Sequence, residues 1–211
     1  MIKYFYLFIC FCYINSCTDL FSTRQDQVEK PEGEGLGIFE EATTPETVLI
    51  NYRRAIENNN TVEYMKVFSD PGQFPAHPYY FYGDANFDAQ LDNPPWDYSE
   101  ESIFATNLLA NNSITSVTFN YVDSLPDIRY TSTGQDSVET VETNFFSYEI
   151  VIKVRDSNIE KIYKGQSQAK LFHSLKGSEL WYIYEWTDES VANDPSLSSL
   201  KIELYQGQDD G

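Results

Sequence analysis

Few side chains in this sequence could carry acid–base chemistry, and the pattern around each favours a structural role. The chain has two histidines, His77 and His173. An imidazole or a carboxylate can abstract a proton beside a carbonyl, and a tyrosine can donate to the oxyanion that forms. His77 lies beside two prolines in a loop, and His173 lies near a predicted strand turn, at the rim of any pocket. We therefore predict no catalytic residue.

The other candidates also have simpler interpretations. We interpret Tyr52 as a core tyrosine with a satisfied hydroxyl, Asp70 as a cap or turn residue and Asp188 as the end of a strand. The sequence contains no phosphate-binding loop and no nucleophile elbow, so we predict no cofactor. With two distant histidines and no cysteine after Cys17, we predict no metal site.

The N-terminal segment predicts export and lipid anchoring. Residues 1–16 combine Lys3, an apolar run and a small residue before Cys17, which is the pattern of a signal peptide. The four residues Ile14 to Cys17 resemble a bacterial lipobox, which implies cleavage before Cys17 and attachment of acyl chains such as palmitate to it. An ordinary leader with an incidental cysteine is the alternative. No later cysteine could pair with Cys17, which favours the lipid anchor.

The sequence after the leader divides into a tether, a domain and a tail. Residues 17–43 mix acids, glycine and proline without periodicity and predict a flexible acidic tether. Residues 44–190 carry the periodic segments of one domain, and residues 191–211 read as a polar C-terminal tail with an amphipathic stretch from Leu197 to Tyr205. The formal charge of −19 opposes binding to phosphate backbones, so we predict no nucleic-acid partner.

Three helices are predicted in the first half of the domain. Thr44 and Pro45 form a helix start, and an apolar stripe containing Tyr52 follows. An asparagine turn at 58–60 separates this helix from a second, which begins at Thr61. A third helix is predicted from Ser99 to Ala110, after a short strand at 79–82. The two first helices form an αα-hairpin.

Strands are predicted in the second half, at 113–123, 137–155 and on both sides of a turn at 176–178. Residues 124–135 read as a loop. In the segment 161–175, one parity is small and apolar and the other is mostly polar, as in a sheet with one covered face and one wet face. The segment 180–187 has aromatic residues on both parities. It is either a strand buried on both faces or, as we favour, a strand with a bulge near Glu185 that returns Trp186 to the face of Trp181.

This order predicts an α+β domain in which a curved, mostly antiparallel sheet wraps around three N-terminal helices. Three segments are similar to those of lipid-anchored NTF2-like (SnoaL-like, cystatin-related) proteins of unknown function: TPETVLINYRRAIENNNTVEYMKVFSD, WDYSEESIFATNLL, and G-x-S-x-A-x-L followed by LWYIYEWTDE. The resemblance covers residues 45–188. It implies a cone with a cavity between sheet and helices, and we expect this cavity to be lined by Tyr52, Phe104, Ala169, Leu171, His173, Trp181, Ile183 and Trp186.

The fold alone does not fix a function. We predict a lipid-anchored protein of the bacterial cell envelope, periplasmic or surface-facing, with a non-catalytic binding or assembly domain. Its expected partners are the membrane, through Cys17, and a second copy, through the open sheet face with Tyr182, Tyr184 and Trp186. The alternative is a small isomerase, dehydratase or hydrolase that uses a Tyr, His or Asp in the cone. A polar dyad deep in the cone would favour the enzyme, and an interior filled by aromatic and aliphatic side chains would favour the binding domain.

Overall fold

The computed structural model describes residues 38–91, 95–133, 138–155, 157, 159–174, 179–192 and 194–206. The helices are α1 (Pro45–Glu57), α2 (Thr61–Lys66), α3 (Tyr98–Leu109) and α4 (Leu197–Gln206), with a 3-10 turn at Asp88–Gln90. The strands are β1 (Tyr80–Tyr82), β2 (Trp96–Asp97), β3 (Ile114–Tyr121), β4 (Ile128–Thr133), β5 (Val138–Thr143), β6 (Phe146–Val154), β7 (Glu160–Ser174) and β8 (Trp181–Ser190). The predicted leader and Cys17 lie outside the described residues.

Side-chain caps fix the starts of the three N-terminal helices. The Thr44 hydroxyl accepts the backbone N–H of Thr47, and Pro45 occupies the first turn of α1. The side chain of Asn60 caps α2. At α3, Asp97 and Glu100 form a capping box, in which each side chain accepts a backbone N–H. These helices lie where the sequence predicts them.

The sheet is organised around β7, which is long enough to pair with three strands. One edge of β7 pairs with β8; the other pairs first with β6 and then with β5. Beyond these, β3 pairs with β6, β4 with β5, and β1 pairs in parallel with β8. All other strand pairs are antiparallel. The structure is α+β with a mostly antiparallel sheet, which confirms the predicted fold class.

The predicted bulge in β8 is confirmed. Lys170 pairs with Glu185 but its neighbour Leu171 pairs with Ile183, so Tyr184 is an extra residue on β8. The inserted residue reverses the parity of the following side chains. Trp186 therefore faces the same interior as Ile183.

Two strand predictions are wrong in detail. The segment 137–155 is two strands, β5 and β6, because the chain leaves one part of β7 at Asn144 and rejoins another part at Phe146. Residues 128–133 are the strand β4, although 124–135 was predicted as a loop, because β4 pairs with β5. The predicted turn at 176–178 lies outside the described residues.

Residues 38–42, placed in the predicted tether, contact the domain. The Asn51 side chain donates to the carbonyl of Glu40 at 2.7 Å and accepts the N–H of Glu40. The N–H of Trp181 donates to the carbonyl of Ala42 at 2.8 Å. The α1 helix therefore holds residues 38–42 through the Asn51 amide, which bonds both the N–H and the carbonyl of Glu40.

The segment predicted as a polar tail contains a core helix. In α4, Leu197, Leu200, Lys201 and Ile202 are buried. The helix contacts α3, β7 and β8. Its apolar positions recur at helical spacing and need a partner surface, which the interior of the sheet supplies. No helix within the described residues is long and apolar enough to cross a membrane.

Candidate functional site

The side chains predicted to line the cavity meet in the interior, and they pack against one another. Seven of the eight are buried: Tyr52, Phe104, Ala169, Leu171, Trp181, Ile183 and Trp186. The ring of Tyr52 lies 4.8 Å from that of Trp186 and 5.1 Å from that of Phe119, measured between centroids. These distances are those of direct aromatic contacts. Two of the residues expected to line the cavity, Tyr52 and Trp186, therefore contact each other directly.

The histidines do not form a dyad with an interior carboxylate. His173 is half-buried near the end of β7, stacks on Trp181 at 4.9 Å, and places Nδ1 3.9 Å from Glu139 without a hydrogen bond. His77 stacks on Phe172 at 4.9 Å, on the outward face of the sheet. Asp70 accepts the N–H of Gly72 and caps a turn, as predicted.

The interior does contain a carboxylate, that of Glu101 on α3, with no exposed surface. Its Oε1 accepts the hydroxyl of Tyr64 at 2.6 Å. Its Oε2 accepts the hydroxyl of Tyr79 at 3.2 Å and Nε1 of Trp96 at 2.8 Å. Nζ of Lys201, on α4, donates to the same oxygen at 2.5 Å. We call Tyr64, Tyr79, Trp96, Glu101 and Lys201 the Glu101 cluster.

Lys201 is also enclosed by aromatic rings. Its Nζ lies 4.1 Å from the ring centroid of Phe104, 4.5 Å from that of Phe81 and 5.0 Å from that of Trp96. Burial lowers the pKa of Lys201, and the Glu101 carboxylate opposes that shift. The ammonium is thus held by one carboxylate and three ring faces rather than by water.

A second buried carboxylate, that of Asp188 on β8, fixes the start of α4. Its Oδ1 accepts the hydroxyls of Tyr148 and Ser167, at 2.8 and 2.9 Å. Its Oδ2 accepts the N–H and the hydroxyl of Ser198, at 2.8 and 2.7 Å. Tyr148 in turn accepts the N–H of Leu197 at 2.6 Å. We call Tyr148, Ser167, Asp188 and Ser198 the Asp188 cluster; it corrects the interpretation of Asp188 as a strand end.

Asp188 makes a testable contribution to the pH dependence of stability. Burial raises its pKa above the ordinary 3.8, against the effect of its hydrogen bonds. Between pH 3.8 and the raised pKa, the folded chain binds a proton that the unfolded chain has released, so the stability contributed by Asp188 falls as pH rises. Urea titrations at a series of pH values measure the free energy of unfolding of the wild type and of Asp188→Asn. We expect the difference, wild type minus variant, to fall as pH rises through this window. A difference that rises with pH would contradict the assignment.

Donors of the protein itself use most of the acceptor capacity of both carboxylates, and Oε1 of Glu101 accepts only from Tyr64. An ionised carboxylate offers about four acceptor positions. Glu101 and Asp188 each accept four hydrogen bonds from the protein itself. A general base must instead present a free lone pair to the proton that it removes. Among the described residues, no group of three or more His, Cys, Asp or Glu side chains is placed to hold a metal ion.

The sequence contained a signal for the Glu101 cluster that its patterns alone did not resolve. Glu101 lies on the same face of α3 as Phe104, Ala105 and Leu108, and Lys201 lies between Leu200 and Ile202 on α4. A charged residue on the apolar face of a helix is rarely buried unless it is paired. Two such residues of opposite charge indicate a buried ion pair.

Comparisons with known proteins identify similar folds. No protein-family model matches the chain, and no curated protein matches it. An NTF2-like superfamily protein from Salmonella enterica serovar Typhimurium is 14% identical, with a TM-score of 0.46. The alignment covers 69% of this chain and 87% of the Salmonella chain. A ketosteroid isomerase-like protein from Erwinia carotovora atroseptica is 11% identical, covering 76% and 98%, with a TM-score of 0.42. The structural neighbours thus include NTF2-like superfamily proteins, the family named by the sequence resemblance.

Proposed function

We propose that this protein is a lipid-anchored protein of the bacterial cell envelope whose domain binds or assembles and does not catalyse. The observation that carries the proposal is that the two interior carboxylates, Glu101 and Asp188, are each occupied by four internal hydrogen-bond donors. The ring of Tyr52 also contacts those of Phe119 and Trp186 in the interior, where the resemblance implies a cavity. Binding surfaces would then lie outside the core.

The alternative, a small isomerase, dehydratase or hydrolase, has one specific observation in its favour. Nε1 of Trp186 is buried without a hydrogen-bond partner among the described residues, beside Tyr52. An unpaired buried donor is costly and can mark a place where a ligand accepts. Such an enzyme needs an interior that solvent and substrate reach.

Tryptophan fluorescence separates the two candidates. All three tryptophans, Trp96, Trp181 and Trp186, are at most 4% exposed. If the interior is filled, acrylamide should quench the native protein far less than the urea-unfolded protein, which serves as the reference. Native quenching close to that of the unfolded chain would show an open interior and favour the enzyme.

The lipid anchor is tested at Cys17. We expect the wild type to incorporate labelled palmitate and to fractionate with membranes, because acyl methylenes each contribute about 0.8 kcal/mol when buried. The variant Cys17→Ser should incorporate no label and leave the membrane fraction. If the variant stays firmly in the membrane, the anchor assignment is wrong.

The outward face of the sheet is our proposed surface for pairing with a second copy. Ile162 on β7 and Tyr82 on β1 remain 44% and 43% exposed. Part of the face is covered by the protein itself, since Phe74 contacts Tyr182 at 4.7 Å. Trp186 does not belong to it, because the β8 bulge turns that ring inward.

We expect Ile162→Glu to weaken a dimer in sedimentation measurements, whereas Ile103→Glu, on α3, should leave the dimer unchanged. If Ile162→Glu is as dimeric as the wild type, this face is not the dimer interface.

A further inference from the structure

The surroundings of Lys201 Nζ have the chemistry of a binding site for an organic ammonium. Three ring faces, those of Phe81, Trp96 and Phe104, lie within 5.0 Å of Nζ. The carboxylate of Glu101 accepts one of its N–H groups. Proteins recognise quaternary ammonium ligands by aromatic ring faces, and a carboxylate adds a charge-assisted hydrogen bond to an ammonium that carries N–H groups.

The residues around the Lys201 ammonium lie on elements other than α4, which carries Lys201 itself. Tyr64 lies on α2, Phe81 on β1, Trp96 on β2, and Glu101 and Phe104 on α3. These residues also contact one another directly. Tyr64 and Trp96 both donate to Glu101, and the Trp96 and Phe104 rings are 6.4 Å apart.

The ammonium group in this site belongs to a residue that is distant from Glu101 in the sequence. Lys201 follows Glu101 by 100 residues and is carried by the helix that closes the domain. Glu101 on the apolar face of α3 calls for a cation as its partner, but the residues of α3 do not supply one. The site and its occupant are thus separate parts of the structure that meet on folding.

We infer that Phe81, Trp96, Glu101 and Phe104 form an internal binding site for a primary alkylammonium group, which the chain fills with its own Lys201. A neutral group of the same shape would leave the buried Glu101 carboxylate without its cation. Full burial restricts the site to a slender ammonium, since Lys201 is only 1% exposed.

Chemical rescue of Lys201→Ala tests this site. The substitution removes three methylene carbons and the ammonium, a volume equal to n-propylammonium, and buried cavities of this kind can take up small ligands. We expect purified full-length Lys201→Ala to have a lowered melting temperature, and added n-propylammonium to raise it with saturation. At about ten times its dissociation constant, the ligand should raise the folding equilibrium constant about tenfold. If the variant does not fold alone, its soluble yield on refolding with n-propylammonium replaces the melting temperature.

Two matched controls make the result specific. The neutral isostere 1-propanol should rescue Lys201→Ala much less than n-propylammonium at the same concentration and ionic strength. The variant Lys201→Met fills the space without charge, so n-propylammonium should not stabilise it. Equal rescue by the alcohol and the ammonium, or no rescue of either melting temperature or refolding yield, would overturn the inference.

Discussion

Replacing Glu101 by glutamine should lower the free energy of unfolding by about 3–5 kcal/mol, the cost of leaving one partner of a buried ion pair uncompensated. Glutamine keeps the shape of Glu101 but not its charge. Lys201, 1% exposed, would then remain as a buried cation whose nearest acceptor is a neutral amide. Urea denaturation followed by circular dichroism measures the loss.

The exposed pair Lys153–Glu160 provides the matched control. Its partners are 3.2 Å apart, and both side chains are about half exposed. Exposed pairs contribute about 0–1 kcal/mol, so Glu160→Gln should change stability by no more than that. Equal losses in Glu101→Gln and Glu160→Gln would refute the claim that the buried pair is a major determinant of stability.

A double variant distinguishes two contributions to the loss of stability. One is the loss of the ion pair itself, and the other is the cost of a buried lysine without its carboxylate. Glu101→Gln combined with Lys201→Met leaves no buried charge in the Glu101 cluster. A glutamine oxygen in the place of Oε2 can still accept from Tyr79 and Trp96, and the amide nitrogen can donate to the hydroxyl of Tyr64. Replacing both partners of a buried pair is often nearly neutral. We therefore expect the double variant to be more stable than Glu101→Gln alone.

Ending the chain at Ser196, before α4, should abolish cooperative unfolding. The truncation removes three buried apolar side chains, Leu197, Leu200 and Ile202, each contributing about 1.5–3 kcal/mol. It also leaves Asp188 and Glu101 without partners from α4. The sum is comparable with the whole stability of a domain, about 5–15 kcal/mol. Thermal denaturation by circular dichroism is the measurement.

A shorter truncation is the control for this result. A chain that ends at Gln206 keeps all of α4 and every contact described above. We expect it to melt like the full chain. If the chain ending at Ser196 also melts cooperatively at the wild-type temperature, α4 is not part of the stable core.

Local patterns predicted much of this fold because helix and strand periodicity act over a few residues. Thr44, Pro45 and the following stripe predicted α1, and the alternation in residues 161–175 predicted the buried face of β7. The aromatic residues on both parities of β8 predicted the bulge, since only an inserted residue places Trp181 and Trp186 on one face.

Strand pairing was harder to predict because it depends on residues distant in the chain. The separation of β5 from β6 is decided by β7, which presents a different part of its edge to each. The strand β4 has no apolar run of its own and is formed by pairing with β5. Neither outcome follows from the local residues alone.

Residue patterns were sufficient to place the three N-terminal helices and the inward-facing side chains of β7 and β8, and they exclude any cysteine after Cys17. The roles of the buried charges follow instead from the packing of elements that are distant in the chain. Glu101 and its half-buried neighbour Glu100 are the same residue type, yet Glu100 caps its own helix and Glu101 binds a lysine 100 residues away. The physical reason is that periodicity reports which face is buried, whereas the partner of a buried charge is set by the packing of distant elements.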